Sequence, residues 1–303
     1  MNLMTRKKDK LLTGTIICIT LCIALLFAGC TSTPPAQVTS TPTPATDVPN
    51  SVTTPIVTMK PTTPVQKTLI AFTAASLTGA SNKIGPAFYN TSGNTVKFNL
   101  DGTQVLKQQI EKGANADVFI SASNTYTNGL KSEGYLINST VKNLTSNYII
   151  VIIPAGNPGN IKSLADLGIP GKRIAMGTPE VPVGINTRIV IDKLANSTYN
   201  TSWKENIYKN VKTFETTEPG VVTKVALGEV DAGLVYESSY KTAKEGSLSA
   251  VNIPVKDNAL QIYTIGILNS TTNKDVAQQF VDFMLSPDGQ KILSDFGFRP
   301  YGS

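Results

Sequence analysis

The stretch AFTAASLTGA, residues 71–80, decides the fold because it joins a strand pattern to a helix pattern through a run of small residues. The apolar run 69–72 predicts a buried strand, and apolar residues then recur at helical spacing from Leu77 onward. Ser76 lies at the turn between the two patterns, with no acid or base beside it. A strand, a small-residue turn and a helix in this order predict the first unit of an α/β sheet.

Three further turns between strand and helix patterns have the same character, at residues 102–103, 182–184 and 217–218. In an open α/β sheet such turns lie at the carboxyl ends of the strands, which is where ligands bind. The first N–H groups of a helix lack intrahelical partners and lie at the positive end of its dipole. Several helix starts that meet would therefore bind an anion without Lys or Arg. Taken alone, Ser76 could equally cap its own helix.

The pattern predicts two α/β lobes with a ligand cleft between them. We expect lobe I to comprise residues 67–147 and 250–303, and lobe II to comprise residues 148–249. Hydrophobic runs bounded by turn residues alternate with helical patterns in both, which predicts a largely parallel sheet. A two-lobed α/β protein of this kind favours capture of a small solute in the cleft.

The N-terminal region predicts export and attachment to a membrane. Basic residues precede an uncharged apolar run that ends at Gly29 and Cys30, so residues 1–30 resemble a lipoprotein signal with Cys30 as the lipidated residue. An uncleaved membrane anchor is the alternative, because the apolar run is long enough to span a bilayer. Residues 31–66 are rich in Thr, Pro and Ser and predict an extended linker. The folded part is then expected at the extracytoplasmic face of the cell membrane.

Composition argues against several classes of function. The formal net charge of +6 includes four basic residues of the predicted signal, and no basic run follows, so nucleic acid is not an expected partner. The chain has no histidine, and its three cysteines all lie within residues 1–30. Asp117 and Asp231 could form a hydrolytic acid pair, although charged residues at strand ends more commonly cap or are solvated. We predict a binding protein, not an enzyme, with no cofactor.

Five motifs in a fixed order carry a resemblance to a known family. They are FTAASLTGA (72–80), QQIEKGANADVFISAS (108–123), VPVG (181–184), GEVDAGLVY (228–236) and FVDFMLSPDGQKILSDFGF (280–298). Together they resemble the molybdate-binding lipoproteins of ABC importers over residues 67–303. The resemblance implies the type II two-lobed fold of periplasmic binding proteins, a monomer, and the permease and ATPase subunits of an importer as partners. It also implies a tetrahedral molybdate or tungstate held by hydroxyls and backbone N–H groups.

The resemblance implies that five residues bind the oxyanion. They would hold its molybdenum only through the oxygens of the anion. The hydroxyls are those of Ser76, Thr103 and Tyr236, and Val183 contributes its N–H. The fifth donor is an N–H that falls at Glu218, where the family does not usually have an acid. We expect either that the Glu218 side chain points away or that Gly220 supplies the N–H instead.

Two alternatives concern the ligand itself. Some archaeal tungstate and molybdate binders coordinate the metal with two carboxylates. One matching position is Val181 here, which cannot ligate a metal and favours tetrahedral capture, whereas Glu218 leaves the alternative open. Sulfate or phosphate would be the other oxyanion ligands. A cavity of neutral donors suits a dianion without a proton, whereas monoprotonated phosphate needs an acceptor for its O–H. Sulfate is smaller than molybdate, so the width of the cavity must exclude it.

Overall fold

The computed structural model describes residues 65–301. The predicted signal (1–30), the lipidation site Cys30 and nearly all of the predicted linker (31–66) lie outside the described residues. Within residues 65–301, no helix has both the length and the apolar character needed to cross a membrane.

The fold consists of two five-stranded sheets with helices packed against them, as the sequence predicts for a two-lobed α/β protein. The first part of the chain forms β1 (Thr68–Ala74), α1 (Thr78–Ser92), β2 (Thr95–Asp101), α2 (Thr103–Glu111), β3 (Val118–Ser121), α3 (Asn124–Ser132) and β4 (Lys142–Asn147). The middle part forms β5 (Ile149–Pro154), β6 (Ile174–Gly177), α4 (Pro182–Ser197), α5 (Thr201–Asn210), β7 (Val211–Glu215), α6 (Glu218–Ala226), β8 (Ala232–Tyr236), α7 (Glu237–Thr242) and β9 (Leu248–Val251). The last part forms β10 (Gln261–Ile267), α8 (Lys274–Leu285) and α9 (Pro287–Asp295).

Each sheet is mixed, whereas the sequence predicts a largely parallel one. The first sheet has the order β2-β1-β3-β10-β4, and β10 runs antiparallel to both of its neighbours. The second has the order β7-β6-β8-β5-β9, and β5 is likewise antiparallel to both neighbours. The reason is the chain path, because β5 and β10 are the first strands after the chain passes from one sheet to the other.

The two passages between the sheets are short. The apolar run 147–156, predicted as one strand, divides at Tyr148: β4 ends at Asn147 and β5 begins at Ile149 in the other sheet. The chain returns between the end of β9 and the start of β10. The predicted lobe boundary at residue 250 falls inside β9, so Ala250 and Val251 pair with β5 in the second sheet. The assignment of 67–147 and 250–303 to lobe I and of 148–249 to lobe II remains a prediction.

A shared apolar core holds the two sheets in place. One continuous cluster of buried side chains includes Leu69 of β1, Val151 of β5 and Phe280 of α8. Smaller clusters fill the opposite faces of each sheet. Because close-packed cores resist displacement of their elements, the strand ends and the helix starts that follow them have defined positions.

Candidate functional site

A small cavity lies where helix starts and strand ends of both sheets meet. It contains about 220 Å³ of space not occupied by protein atoms. The residues that line it are Ala74, Ala75, Ser76, Gly102, Thr103, Ala122, Val181, Pro182, Val183, Glu218 and Tyr236. The structure thus brings all five residues predicted to bind the anion to one cavity. Gly220, the alternative source of the fifth N–H, is not among the lining residues.

Three of the helical segments that start at the cavity lack a side-chain cap. They are the 3-10 turn Ala75–Leu77, α2 and α4, which follow Ala74, Gly102 and Val181 respectively. A residue without a side-chain oxygen at this position leaves the N–H groups of the first turn available to a ligand. The positive ends of these helices add to the attraction for negative charge.

The start of α6 differs because it has a side-chain cap. Thr217 Oγ1 accepts a hydrogen bond from Gly220 N at 3.3 Å. The Gly220 N–H is therefore already used within the protein. Of the two sources considered for the fifth donor, the geometry favours the N–H of Glu218, the first residue of α6.

The two short hydroxyl side chains of the site have defined partners. Ser76 Oγ lies 2.9 Å from the Oη of Tyr263, and either hydroxyl can be the donor. Ser76 does not cap its helical turn, so the capping explanation for this serine does not apply. Thr103 Oγ1 accepts a hydrogen bond from Ala122 N at 3.1 Å. Its own proton then remains free to be donated to a ligand.

Tyr236 ends β8 with its phenol in the interior. The side chain is 1% exposed, and its Oη is buried without a hydrogen-bond partner. Burial, together with the charges of Tyr263 and Glu218, raises the pKa of Tyr236 well above its usual value, so the hydroxyl stays protonated at neutral pH. Because buried hydroxyls without a partner are rare in native proteins, this O–H is available to an acceptor that enters the cavity.

Glu218 is the one acid among the lining residues. Its side chain is 4% exposed, and Oε1 accepts a hydrogen bond from Tyr236 N at 3.2 Å, while Oε2 is buried without a partner. Burial raises the pKa of Glu218 to about 7, although the Ser239 hydroxyl and the Tyr236 N–H offset part of the rise. The carboxyl is therefore part of the cavity wall and does not extend into solvent.

The wall of the cavity offers donors without cationic side chains. None of its lining residues is Lys or Arg. The available donors are hydroxyls and the N–H groups at helix starts, a set that can hold a dianion by hydrogen bonds and dipoles alone.

Three hydrogen bonds join helices and strands of one sheet to helices and loops of the other. Gln104 Nε2 of α2 donates to Thr216 O at 2.9 Å, and Tyr126 Oη of α3 donates to Glu180 O. The side chains of Asn186 and Gln261 form a further hydrogen bond between α4 and β10. These contacts tie the elements of the two sheets to one another near the helix starts that line the cavity.

Tyr263 is the residue of the site that the sequence did not indicate. Its strand, QIYTIGIL (261–268), is outside the five motifs that carry the resemblance. The ring does pack, at 5.4 Å from Phe298 and 6.0 Å from Tyr236 between ring centroids. Its hydroxyl nevertheless is the partner of Ser76, which lies 187 residues away in the chain.

We expect the Tyr263→Phe variant to lose about 1 kcal/mol of unfolding free energy, because Ser76 then has no hydrogen-bond partner in the empty cavity. Urea denaturation monitored by tryptophan fluorescence measures the change. Tyr89→Phe is the matched control because Tyr89 is 48% exposed on the surface. Equal stabilities of Tyr263→Phe and the parent protein would show that the hydroxyl pair contributes nothing.

Comparisons with known proteins agree with this architecture. Residues 69–299 match the family model described as bacterial extracellular solute-binding protein. The molybdate-binding protein ModA of Mycobacterium tuberculosis is 32% identical over 233 residues, which cover 77% of this chain and 84% of the relative. A sulfate-binding protein of Synechococcus elongatus is 24% identical, with coverage of 78% and 73%.

A solved structure supports the fold independently. The periplasmic molybdate-binding protein of Azotobacter vinelandii superposes with a TM-score of 0.66 at 22% identity, covering 76% of this chain and 98% of that one. At this identity the likeness concerns the two-lobed fold. With the sequence match over residues 69–299, it confirms the predicted family: the chain belongs to the bacterial extracellular solute-binding proteins and groups with their molybdate-binding members.

Proposed function

We propose that this protein captures molybdate outside the cytoplasm and delivers it to the permease of an ABC importer. Ser76, Thr103 and Tyr236 contribute hydroxyls, and Val183 and Glu218 contribute N–H groups. The observation that carries the proposal is the cavity at helix starts, where the buried Tyr236 hydroxyl has no partner and no lining residue is cationic. The relative from Mycobacterium tuberculosis supports molybdate as the ligand, because it is named as a molybdate-binding protein.

Tungstate should bind through the same contacts, since it is a tetrahedral dianion of nearly the same size. Delivery requires the permease and ATPase subunits of the importer as partners, and closure of the two lobes around the anion provides the state that the permease recognises. In this proposal the protein is a monomer, is not an enzyme and needs no cofactor. Lipidation at Cys30 would keep it at the outer face of the cell membrane.

Sulfate is the second candidate ligand, because one relative is named as a sulfate-binding protein. Sulfate is also a dianion without a proton at neutral pH, so the neutral donors alone do not exclude it. It is smaller than molybdate, and the same donors would reach it with longer hydrogen bonds. Isothermal titration calorimetry of the full-length protein with molybdate, tungstate, sulfate and phosphate decides between them. Tighter binding of sulfate than of molybdate would contradict the proposal.

We expect Ser76→Ala and Tyr236→Phe each to weaken molybdate binding by at least ~1 kcal/mol, because each variant removes a hydrogen bond to a charged ligand. Titration calorimetry of the two variants under the same conditions measures the loss. Ser132→Ala is a suitable control, since Ser132 is at the end of α3 and bonds only to Gly129 O. If both cavity variants bind molybdate as tightly as the parent protein, the site assignment is wrong.

A further inference from the structure

We propose that Glu218 holds the anion in its protonated form, with Oε2 as a hydrogen-bond donor, so that capture of one dianion is coupled to uptake of one proton. The inference rests on the proposed function, because it concerns the regulation of the same site by pH. It makes Glu218 a ligand through its side chain as well as through its N–H.

The geometry of the carboxyl carries the inference. Glu218 lines the cavity; its Oε1 accepts a hydrogen bond from the N–H of Tyr236, whereas its Oε2 is buried with no partner. An ionised Oε2 could only accept hydrogen bonds, and an oxyanion has none to give. It would also repel a dianion in a cavity where no lining Lys or Arg compensates the two charges. A protonated Oε2 removes both problems, because it is neutral and can donate.

Among the groups around Glu218, the Ser239 hydroxyl and the Tyr236 N–H favour its ionised form, but burial outweighs both. The 3-10 turn Ala75–Leu77, β5 and β6, which pack against α6, contain no titratable residue. β8 and β10 bring Tyr236 and Tyr263, and both phenols have a raised pKa, so they remain neutral near pH 7.

The charged groups of the other neighbours have partners of their own. On β7, Glu215 Oε1 accepts from Thr213 Oγ1 at 2.6 Å, and Lys212 of the same strand is a separate surface charge. On α7, Glu237 pairs with Arg299 and Lys241. On α6 itself, Lys224 pairs with Glu229. Among the described residues, none of those that line the cavity is a Lys or Arg that could hold Glu218 in its ionised form.

The effect of burial on the pKa of Glu218 also supports a protonated carboxyl. Because desolvation raises the pKa of Glu218 to about 7, the protonated form is well populated at neutral pH. A dianion placed next to the carboxyl raises this pKa further, since a neighbouring negative charge disfavours ionisation. By linkage, protonation of Glu218 then strengthens anion binding to the same extent.

An ionised Glu218 would serve a different ligand. It could accept the O–H of a monoprotonated oxyanion such as hydrogen phosphate, or ligate a metal directly. Glu218 is the one carboxylate among the lining residues, and Oε1 is already engaged, so a metal would find a single free carboxylate oxygen there. Protonation of Glu218 thus favours dianions that carry no proton.

Titration calorimetry of the full-length protein tests the coupling directly. Molybdate is titrated at about pH 8 in two buffers with different ionisation enthalpies, and the difference in heat gives the number of protons taken up. We expect close to one proton per molybdate, and an affinity that falls about tenfold for each pH unit above about 7.5. The chain has no histidine that could contribute a second proton in this range.

Two variants separate Glu218 from other acids. Glu218→Gln should bind molybdate without proton uptake and with an affinity independent of pH, because the amide is always neutral and can donate. Glu215→Gln is the matched control on β7 and should retain both the proton uptake and the pH dependence.

The outcomes distinguish this inference from the proposed function. Molybdate binding by the parent protein without proton uptake overturns the inference and leaves the proposed function intact. Proton uptake that persists in Glu218→Gln also overturns it, as does a folded Glu218→Gln variant that no longer binds molybdate. A parent protein that binds neither molybdate nor tungstate overturns the proposed function itself.

Discussion

Replacement of Gly184 by alanine should lower the unfolding free energy by about 3 kcal/mol, at the upper end of the usual range for overpacking. A Cβ at this position would lie 2.0 Å from Thr178 O and 2.6 Å from Gly177 O. Both contacts are with backbone atoms, so no flexible side chain can move to relieve them. The first turn of α4 would have to shift away from β6, and the Val183 N–H would shift with it. Molybdate binding should therefore weaken together with stability.

Gly85→Ala is the control for this prediction. Gly85 is also in a helix, but its Cβ would meet Phe98 and Val96 side chains at 3.6 and 3.9 Å, which is ordinary contact. This substitution should change the unfolding free energy by less than about 0.5 kcal/mol, because the preference of a helix for alanine over glycine is offset by the clash of a Cβ with the ring of Pro86, the next residue. Urea denaturation and molybdate titration of both variants measure the effects. A Gly184→Ala protein as stable as the parent would show that the contact between β6 and α4 is not rigid.

The second large effect concerns pH and the burial of Glu218. Its pKa is near 4.5 in an unfolded chain and about 7 in the folded protein. The folded state therefore holds more protons between these values, so the contribution of Glu218 to stability is greatest below pH 4.5 and is lost as the pH rises through 7. The difference between the two pKa values corresponds to a change of about 3 kcal/mol in the free energy of unfolding. Unfolding free energies of the parent protein and Glu218→Gln, measured across this range without anion, should diverge by that amount.

Other acids in the protein have the opposite dependence, which is why the comparison uses a variant. The Arg173 guanidinium beside Asp231 lowers the pKa of that carboxyl despite partial burial, and this stabilises the fold above the usual aspartate pKa. Such contributions are common to both proteins and cancel in the difference. Parallel pH profiles for the parent protein and Glu218→Gln would contradict the prediction.

Much of the candidate site could be predicted because its parts are local in the chain. Ser76, Thr103, Val183 and Tyr236 each lie where a strand ends or a helix starts, and such positions are recognisable from a few neighbouring residues. The structure brings these residues to one cavity. Their role as ligands of an anion remains a proposal that the titrations test.

The parts that could not be predicted depend on distant contacts. Tyr263 meets Ser76 only because β10 returns from the second sheet to pair with β3 and β4. The start of α4 at Pro182 is a smaller difference: residues 182–184, predicted as a turn, belong to the helix, because proline is well suited to the first position of a helix. That shift places the Val183 N–H in the first turn.

The sequence by itself determined the alternation of strands and helices, the family and the turns that carry the donors, because these follow from local patterns of apolar and small residues. Only the tertiary structure decided that Gly220 N–H is used within the protein and that Glu218 is buried with one free oxygen. The physical reason is that hydrogen-bond partners and desolvation depend on packing between α6, β8 and the turn after β1, which are far apart in the chain.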